Sequence, residues 1–282
     1  MAESLSPWIG SFVALLLFVT AVRVGARHAF GTLNDLMPTL LTVGVFQMAL
    51  PVAVVAALSL AGLIHWPMAI AVSLMLAAPS LTGAPNFAIM VGQDPAPGMR
   101  LLVVGTALFP VTALPVLLIL DPAGGGVISA LALSLVLLAV ILASVGLGFA
   151  VRHLIPHLGQ AQSQNALDGC GALLLAIVVV GLMSAIGPLL RSDPWTLLLW
   201  IVVALAINFT LVAVTLRLSR RAHLLTPVST AIYAGNRNIA LFLIVLPAEV
   251  AAPLMIFVGC YQIPMYLTPI FLTRLKAHDV SP

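Results

Sequence analysis

Apolar residues run through this chain in stretches of about twenty, and short polar clusters separate them. A helix needs about 20 predominantly apolar residues to cross the hydrocarbon core of a bilayer. Nine segments meet that length: 8–25, 36–63, 68–93, 98–120, 126–151, 166–189, 194–216, 224–247 and 251–273. The pattern predicts an all-α, polytopic membrane protein with nine transmembrane helices. Two of the nine carry interruptions, Gly83-Ala84-Pro85-Asn86 and Gly235-Asn236-Arg237-Asn238. Glycine, proline and asparagine in mid-span leave backbone groups open where lipid supplies no water, so such breaks persist only in a protein interior or along a cavity. One in each half of the chain is the pattern of a secondary carrier's midplane site.

The halves also repeat. Gly83, Asn86 and Ala88 recur at one constant offset as Gly235, Asn238 and Ala240. Val104, Gly105, Pro110 and Pro115 recur at a slightly longer offset as Val258, Gly259, Pro264 and Pro269. Hydrophobicity alone does not set glycine, asparagine and proline at matched spacings. With the 126–151 segment standing alone between the two units, the second unit is inverted relative to the first. The expectation is an inverted repeat whose two broken spans meet near the midplane.

Composition agrees with the pattern and adds orientation. The chain has 282 residues, 62% apolar and only 7% charged, against roughly 25% charged in a soluble domain. No extramembrane stretch is long enough to form a separate soluble module. Alternating the spans puts Arg23, Arg27, Arg100, Arg152, Arg217, Arg220, Arg221, Arg274 and Lys276 on one side and Arg191 alone on the other. The positive-inside rule makes the crowded side cytoplasmic. The N-terminus is then outside and the C-terminus inside the cell's inner membrane. Met1-Ala2-Glu3-Ser4 lacks the basic run of a secretory signal, so the first span is expected to be retained. The net charge of +3 reflects orientation and gives no reason to expect a nucleic-acid partner. Cys170 and Cys260 have no metal-site or disulfide spacing.

Three patches resemble the bile acid:sodium symporter family and its bacterial relatives: Ala78-Pro79-Ser80-Leu81-Thr82-Gly83-Ala84-Pro85-Asn86, Gly235-Asn236-Arg237-Asn238-Ile239-Ala240-Leu241, and Gln47-Met48-Ala49-Leu50-Pro51. The resemblance implies a core domain (about 36–120 and 194–273) whose two broken helices cross and a panel domain (about 8–25 and 126–189), with substrate between them behind the crossing. Sodium-coupled relatives carry a glutamate where this chain has Tyr233, a glutamine where it has Arg237, and a serine where it has Pro85. Gln47, Asn86 and Asn238 persist as residual candidates for sodium ligands. No carboxylate lies mid-span in the 68–93, 98–120 or 224–247 segments, so the sodium sites read as dismantled. No cofactor is expected, and coupling stays open between sodium, a proton and neither.

Arg237 is the residue on which the site turns. A charge at bilayer depth costs roughly 2.5–3.5 kcal/mol on insertion scales, so it rarely persists without a role. One reading makes it the fixed positive charge that replaces sodium and receives an organic anion, beside the N-termini of half-helices starting near Asn86 and Asn238. The other makes it scaffolding for carbonyls at the ends of the first half-helices. Asn86 and Asn238 are expected to cap the second half-helices. Gln47 and Asn208, mid-span in counterpart segments, should face the bundle interior as glue or as lining. Tyr233 and Thr82 flank the breaks as candidate donors to an oxyanion. The substrate-binding set is therefore Arg237, Asn86, Asn238, Gln47, Asn208, Tyr233 and Thr82, with Gly83, Pro85, Gly235 and Asn236 making the breaks. Asp168 opens the 166–189 segment as a helix-start acid or a proton relay. Asp94 and Arg100 share a loop and pair with solvent or each other.

The spans hold no nucleophile–base or paired-acid constellation, so an embedded enzyme is not expected. The alternatives are a sodium- or proton-coupled organic-acid symporter, an auxin-carrier-like efflux protein, and a non-transporting membrane sensor. The partners expected are a small organic anion and the lipid bilayer, with oligomeric state left open.

Overall fold

The computed structural model describes residues 2–30 and 36–278, and among them the chain is helical with no strand. A helical lead-in (Ala2–Leu5, Ser6–Trp8) enters α1 (Ile9–Phe30). Then follow α2 (Leu36–Leu60), α3 (Pro67–Ala77), α4 (Ala84–Met90), α5 (Ala96–Leu120) and α6 (Gly126–Leu154). The chain continues through α7 (Ala161–Ser192), α8 (Pro194–Arg221) and α9 (Pro227–Gly235), a 3₁₀ turn (Ile239–Ile244), and α10 (Ala248–His278). Seven of these, α1, α2, α5, α6, α7, α8 and α10, are long and apolar enough to cross a membrane. The chain is an all-helical, multi-pass membrane protein.

The two interrupted segments are the ones that do not form continuous rods. α3 stops at Ala77 and α4 begins at Ala84; α9 stops at Gly235 and only a 3₁₀ turn of six residues resumes at Ile239. The second parts thus begin near Asn86 and Asn238 as expected, but neither asparagine side chain caps the element beside it, which corrects the expected caps. Pro85 supplies one reason. It fills the first turn of α4, where its missing amide removes a donor that would otherwise need a cap.

Within α2 the residues Gly44–Ala49 form a π-helical turn. Its cause can be traced in the hydrogen bonds. The Leu50 amide bonds to the Val45 carbonyl, one residue beyond the α register. Pro51 has no amide to offer. The Phe46 carbonyl is thereby left open toward the protein interior, with consequences for Arg237.

α1 packs between α6 and α7, while α8 packs on α9 and α10, and α3 on α2, α5 and α10. Phe109 of α5 meets Phe242 of the 3₁₀ turn edge-on at 4.9 Å, and Trp200, Phe257 and Tyr261 tie α8 to α10. Leu135, Leu142, Leu173 and Leu198 point outward, as a lipid-facing surface requires.

Candidate functional site

The two breaks meet. Residues 79–81 and 236–238 pair as a short antiparallel bridge, with the Leu81 amide on the Asn236 carbonyl at 2.9 Å and the Asn238 amide on the Pro79 carbonyl at 2.8 Å. Backbone groups that would be orphaned in lipid therefore satisfy each other. Ser80 and Arg237 sit opposite one another in this bridge.

Arg237 closes the rest of the account. It is 0% exposed. Its Nε donates to the Ala234 carbonyl, Nη1 to the Ala78 carbonyl and Nη2 to the Phe46 carbonyl, each at 3.1 Å. Ala78 and Ala234 end α3 and α9, so the guanidinium lies at the negative ends of two helix dipoles. The third acceptor is the carbonyl that the π turn left open. The guanidinium carbon also lies 4.4 Å from the Tyr233 ring centre, a cation–π contact. The scaffolding role is thus built, and the side chain offers no surface to a ligand.

Gln47 and Tyr233 belong to the same shell. The Tyr233 hydroxyl donates to Gln47 Oε1 at 2.8 Å, and Gln47 Nε2 donates to the Gly105 carbonyl at 2.9 Å and to Thr112 Oγ1 at 2.7 Å. Both residues are buried, so Tyr233 is not placed as a donor to an oxyanion. A Cβ at Gly105 would stand 3.0 Å from Gln47 Oε1, so glycine there admits the bridge.

A second buried network secures the other side of the break. Asn208 and Tyr261 both donate to the Gly235 carbonyl, Thr268 donates to Asn236 Oδ1 at 3.0 Å and to Asn208 Oδ1 at 3.2 Å, and Asn236 Nδ2 returns to the Ile232 carbonyl at 3.0 Å. Asn208 acts as the expected interhelical glue. Tyr261 and Thr268 were not legible as members, because nothing in their sequence neighbourhood marks them.

Beside the paired breaks lies a cavity of about 540 Å³, walled by α1, α7, α10 and both breaks. Thr82, Gly83, Asn86 and Asn238 face it. Asn86 is exposed, and Asn238 Nδ2 reaches Thr82 Oγ1 at 3.5 Å. An apolar annex of about 380 Å³ between α1, α5 and α6 adjoins it, sharing Thr20 and Thr82. Of the seven residues expected to bind substrate, three face the cavity, three are committed inside the protein, and Arg237 lies along the wall with its charge occupied.

The cavity also holds a pair that sequence reading kept apart. Arg23 Nε stands 2.5 Å from Asp168 Oδ1, and Nη2 reaches Asp168 Oδ2 at 3.4 Å. Asp168 is therefore not a helix-start acid; α7 begins at Ala161, about two turns earlier. Asp94, by contrast, takes the Ala96 amide at 2.9 Å at the head of α5. Among the described residues no group of three or more His, Cys, Asp or Glu side chains is placed to hold a metal ion.

No protein-family model matches the chain, and no curated protein matches it either.

Proposed function

We propose that this chain is a secondary transporter of a small organic anion, working by alternating access and resembling the bile acid:sodium symporter family. In this reading nine spans form an inverted repeat, with the N-terminus outside and the C-terminus in the cytoplasm. α3–α4 and α9 with its 3₁₀ turn are the two broken spans. The observation that carries it is the back-to-back junction of two interrupted segments beside a cavity lined by both. Irregular backbone at that depth is tolerated where it is buried in protein or lines a cavity, and a matched pair of broken spans is the pattern of a carrier's binding site. The cavity runs between the α1–α7 face and the breaks, where a core domain would slide against a panel.

Arg237 supports sodium independence by a different route from direct substrate contact. Converging carbonyl dipoles at two helix ends attract a cation, and here a guanidinium fixed to the chain already bonds one oxygen at each of those ends and a third on α2. The crossing is neutralised in every state of the cycle. The test is a solid-supported-membrane current or uptake screen in proteoliposomes, using short and medium-chain carboxylates and sulfonates, with sodium exchanged for choline. Flux unaffected by the exchange is the expected result. Flux abolished in choline would refute the role given to Arg237, and binding without flux for every anion would favour the sensor.

A further inference from the structure

The cavity contains one arginine that is bonded on one edge only. Asp168 occupies the Nε and Nη2 edge of Arg23, and among the described residues Nη1 has no hydrogen-bond partner. A guanidinium has five N–H donors in a planar fork and can take a second oxyanion on its end-on edge. The two side chains remain 29% and 46% exposed, so both are reachable from the cavity. The obstacle is charge. Arg23 with Asp168 is neutral overall, and adding an anion beside the largely apolar wall leaves one uncompensated negative charge.

We propose that Arg23 and Asp168 form a proton-linked anion seat: a proton taken up by Asp168 frees Arg23 for the anionic group of the cargo. The balance is one proton, taken from bulk solution onto an Asp168 carboxylate oxygen, for each anion bound to the Arg23 fork; Arg23 stays charged throughout. Release reverses both steps. The apolar annex beside Thr20 and Thr82 takes the hydrocarbon part of the cargo, which makes the ligand an amphipathic monoanion.

The other titratable groups leave this assignment to Asp168. Among the described residues Tyr266 of α10 and Arg237 are the remaining ones on the cavity wall, and Arg237 is closed off by its carbonyls. α5 and α6 give the annex only uncharged residues. Arg152, at the C-terminal end of α6, approaches α1 at Gly25, and His153 and His157 lie beyond it, all outside either wall. The seat rests on the cavity being the cargo site, but its chemistry does not depend on whether cargo is carried across.

The full-length protein in nanodiscs would be titrated with octane-1-sulfonate, whose charge does not change with pH, with octan-1-ol as the neutral control. Sulfonate affinity should rise as pH falls, with a slope approaching about tenfold per pH unit. Asp168→Asn should bind tightly with no pH slope. Arg23→Gln should bind sulfonate no better than the alcohol, and Arg23→Lys, which keeps charge without the fork, should fall between. Thermal melting of each variant separates misfolding from lost recognition. A sulfonate preference that survives in well-folded Arg23→Gln, a pH slope that survives in Asp168→Asn, or no preference in the unaltered protein would each overturn the seat. Proteoliposome flux of the same probe tests transport separately: proton-linked binding with no flux leaves the seat standing and removes the carrier reading.

Discussion

Arg237 and Arg23 are the same side chain in two different accounts. Arg237 is 0% exposed, bonds three carbonyls and rests on a tyrosine face; Arg23 is 29% exposed and is held along one edge by a single carboxylate. The first has spent its charge on the fold, while the second has a fork open to a cavity. Depth in the apolar sequence singles out Arg237, yet counting donors against acceptors gives the ligand-facing role to Arg23. A buried charge is evidence of function only after its partners have been counted.

The sharpest way to break that contrast is to remove each guanidinium in turn. Arg237→Gln leaves the Ala78, Ala234 and Phe46 carbonyls short of a charged donor in a dry interior. Each of these carbonyls left unsatisfied in the interior costs about 1–3 kcal/mol. Arg23→Gln disrupts a partly exposed ion pair worth about 0–1 kcal/mol. Thermal unfolding in detergent, read by a thiol-reactive dye on the buried Cys260 in a Cys170→Ser background, should show a large drop for the first variant and almost none for the second. Equal losses would erase the distinction between scaffold and seat.

The part of the fold that was legible in the sequence was the part written in residue types. Gly83, Pro85, Gly235 and Asn236 stand out inside apolar runs, and the breaks fall where they do. What the breaks bond to was not legible, because the acceptors are backbone carbonyls, which every residue has. One of them left a trace: Pro51 lacks the amide that a π-register partner of Phe46 would supply, so the open carbonyl is written four residues after Gln47. Asp168 was misplaced because hydropathy begins the sixth span at 166, whereas α7 already starts at Ala161, ahead of the polar residues Gln162-Ser163-Gln164-Asn165. Polar residues at an interface extend a helix without adding to its apolar signal. Its pairing with Arg23 spans 145 positions and leaves no local pattern.

A smaller effect tests whether the backbone of the paired breaks, rather than Arg237 alone, fixes the junction. At Gly235 an added Cβ would press on Val212 and stand 3.0 Å from the Asn208 carbonyl. Overpacking of this sort costs about 1–3 kcal/mol. Gly235→Ala should therefore lower the melting temperature by less than Arg237→Gln, while Gly83→Ala, whose nearest neighbour would be Leu81 at 3.8 Å, should be close to silent. A tolerant Gly235 would mean that α9 can slide on α8, and that the guanidinium holds the paired breaks without help from close packing.

The smallest expected effect sharpens the contrast on the acidic side. Asp193 caps α8, accepting from the Thr196 hydroxyl at 2.5 Å and from the Thr196 amide at 3.0 Å, and those bonds hold its carboxyl below the ordinary carboxylate range. Because the folded-state pKa is the lower one, its contribution to stability is present above the unfolded pKa and is lost as pH falls through the folded value. The melting-temperature gap between the unaltered protein and Asp193→Ala should be constant at neutral pH and should shrink only in acid, below the ordinary carboxylate range.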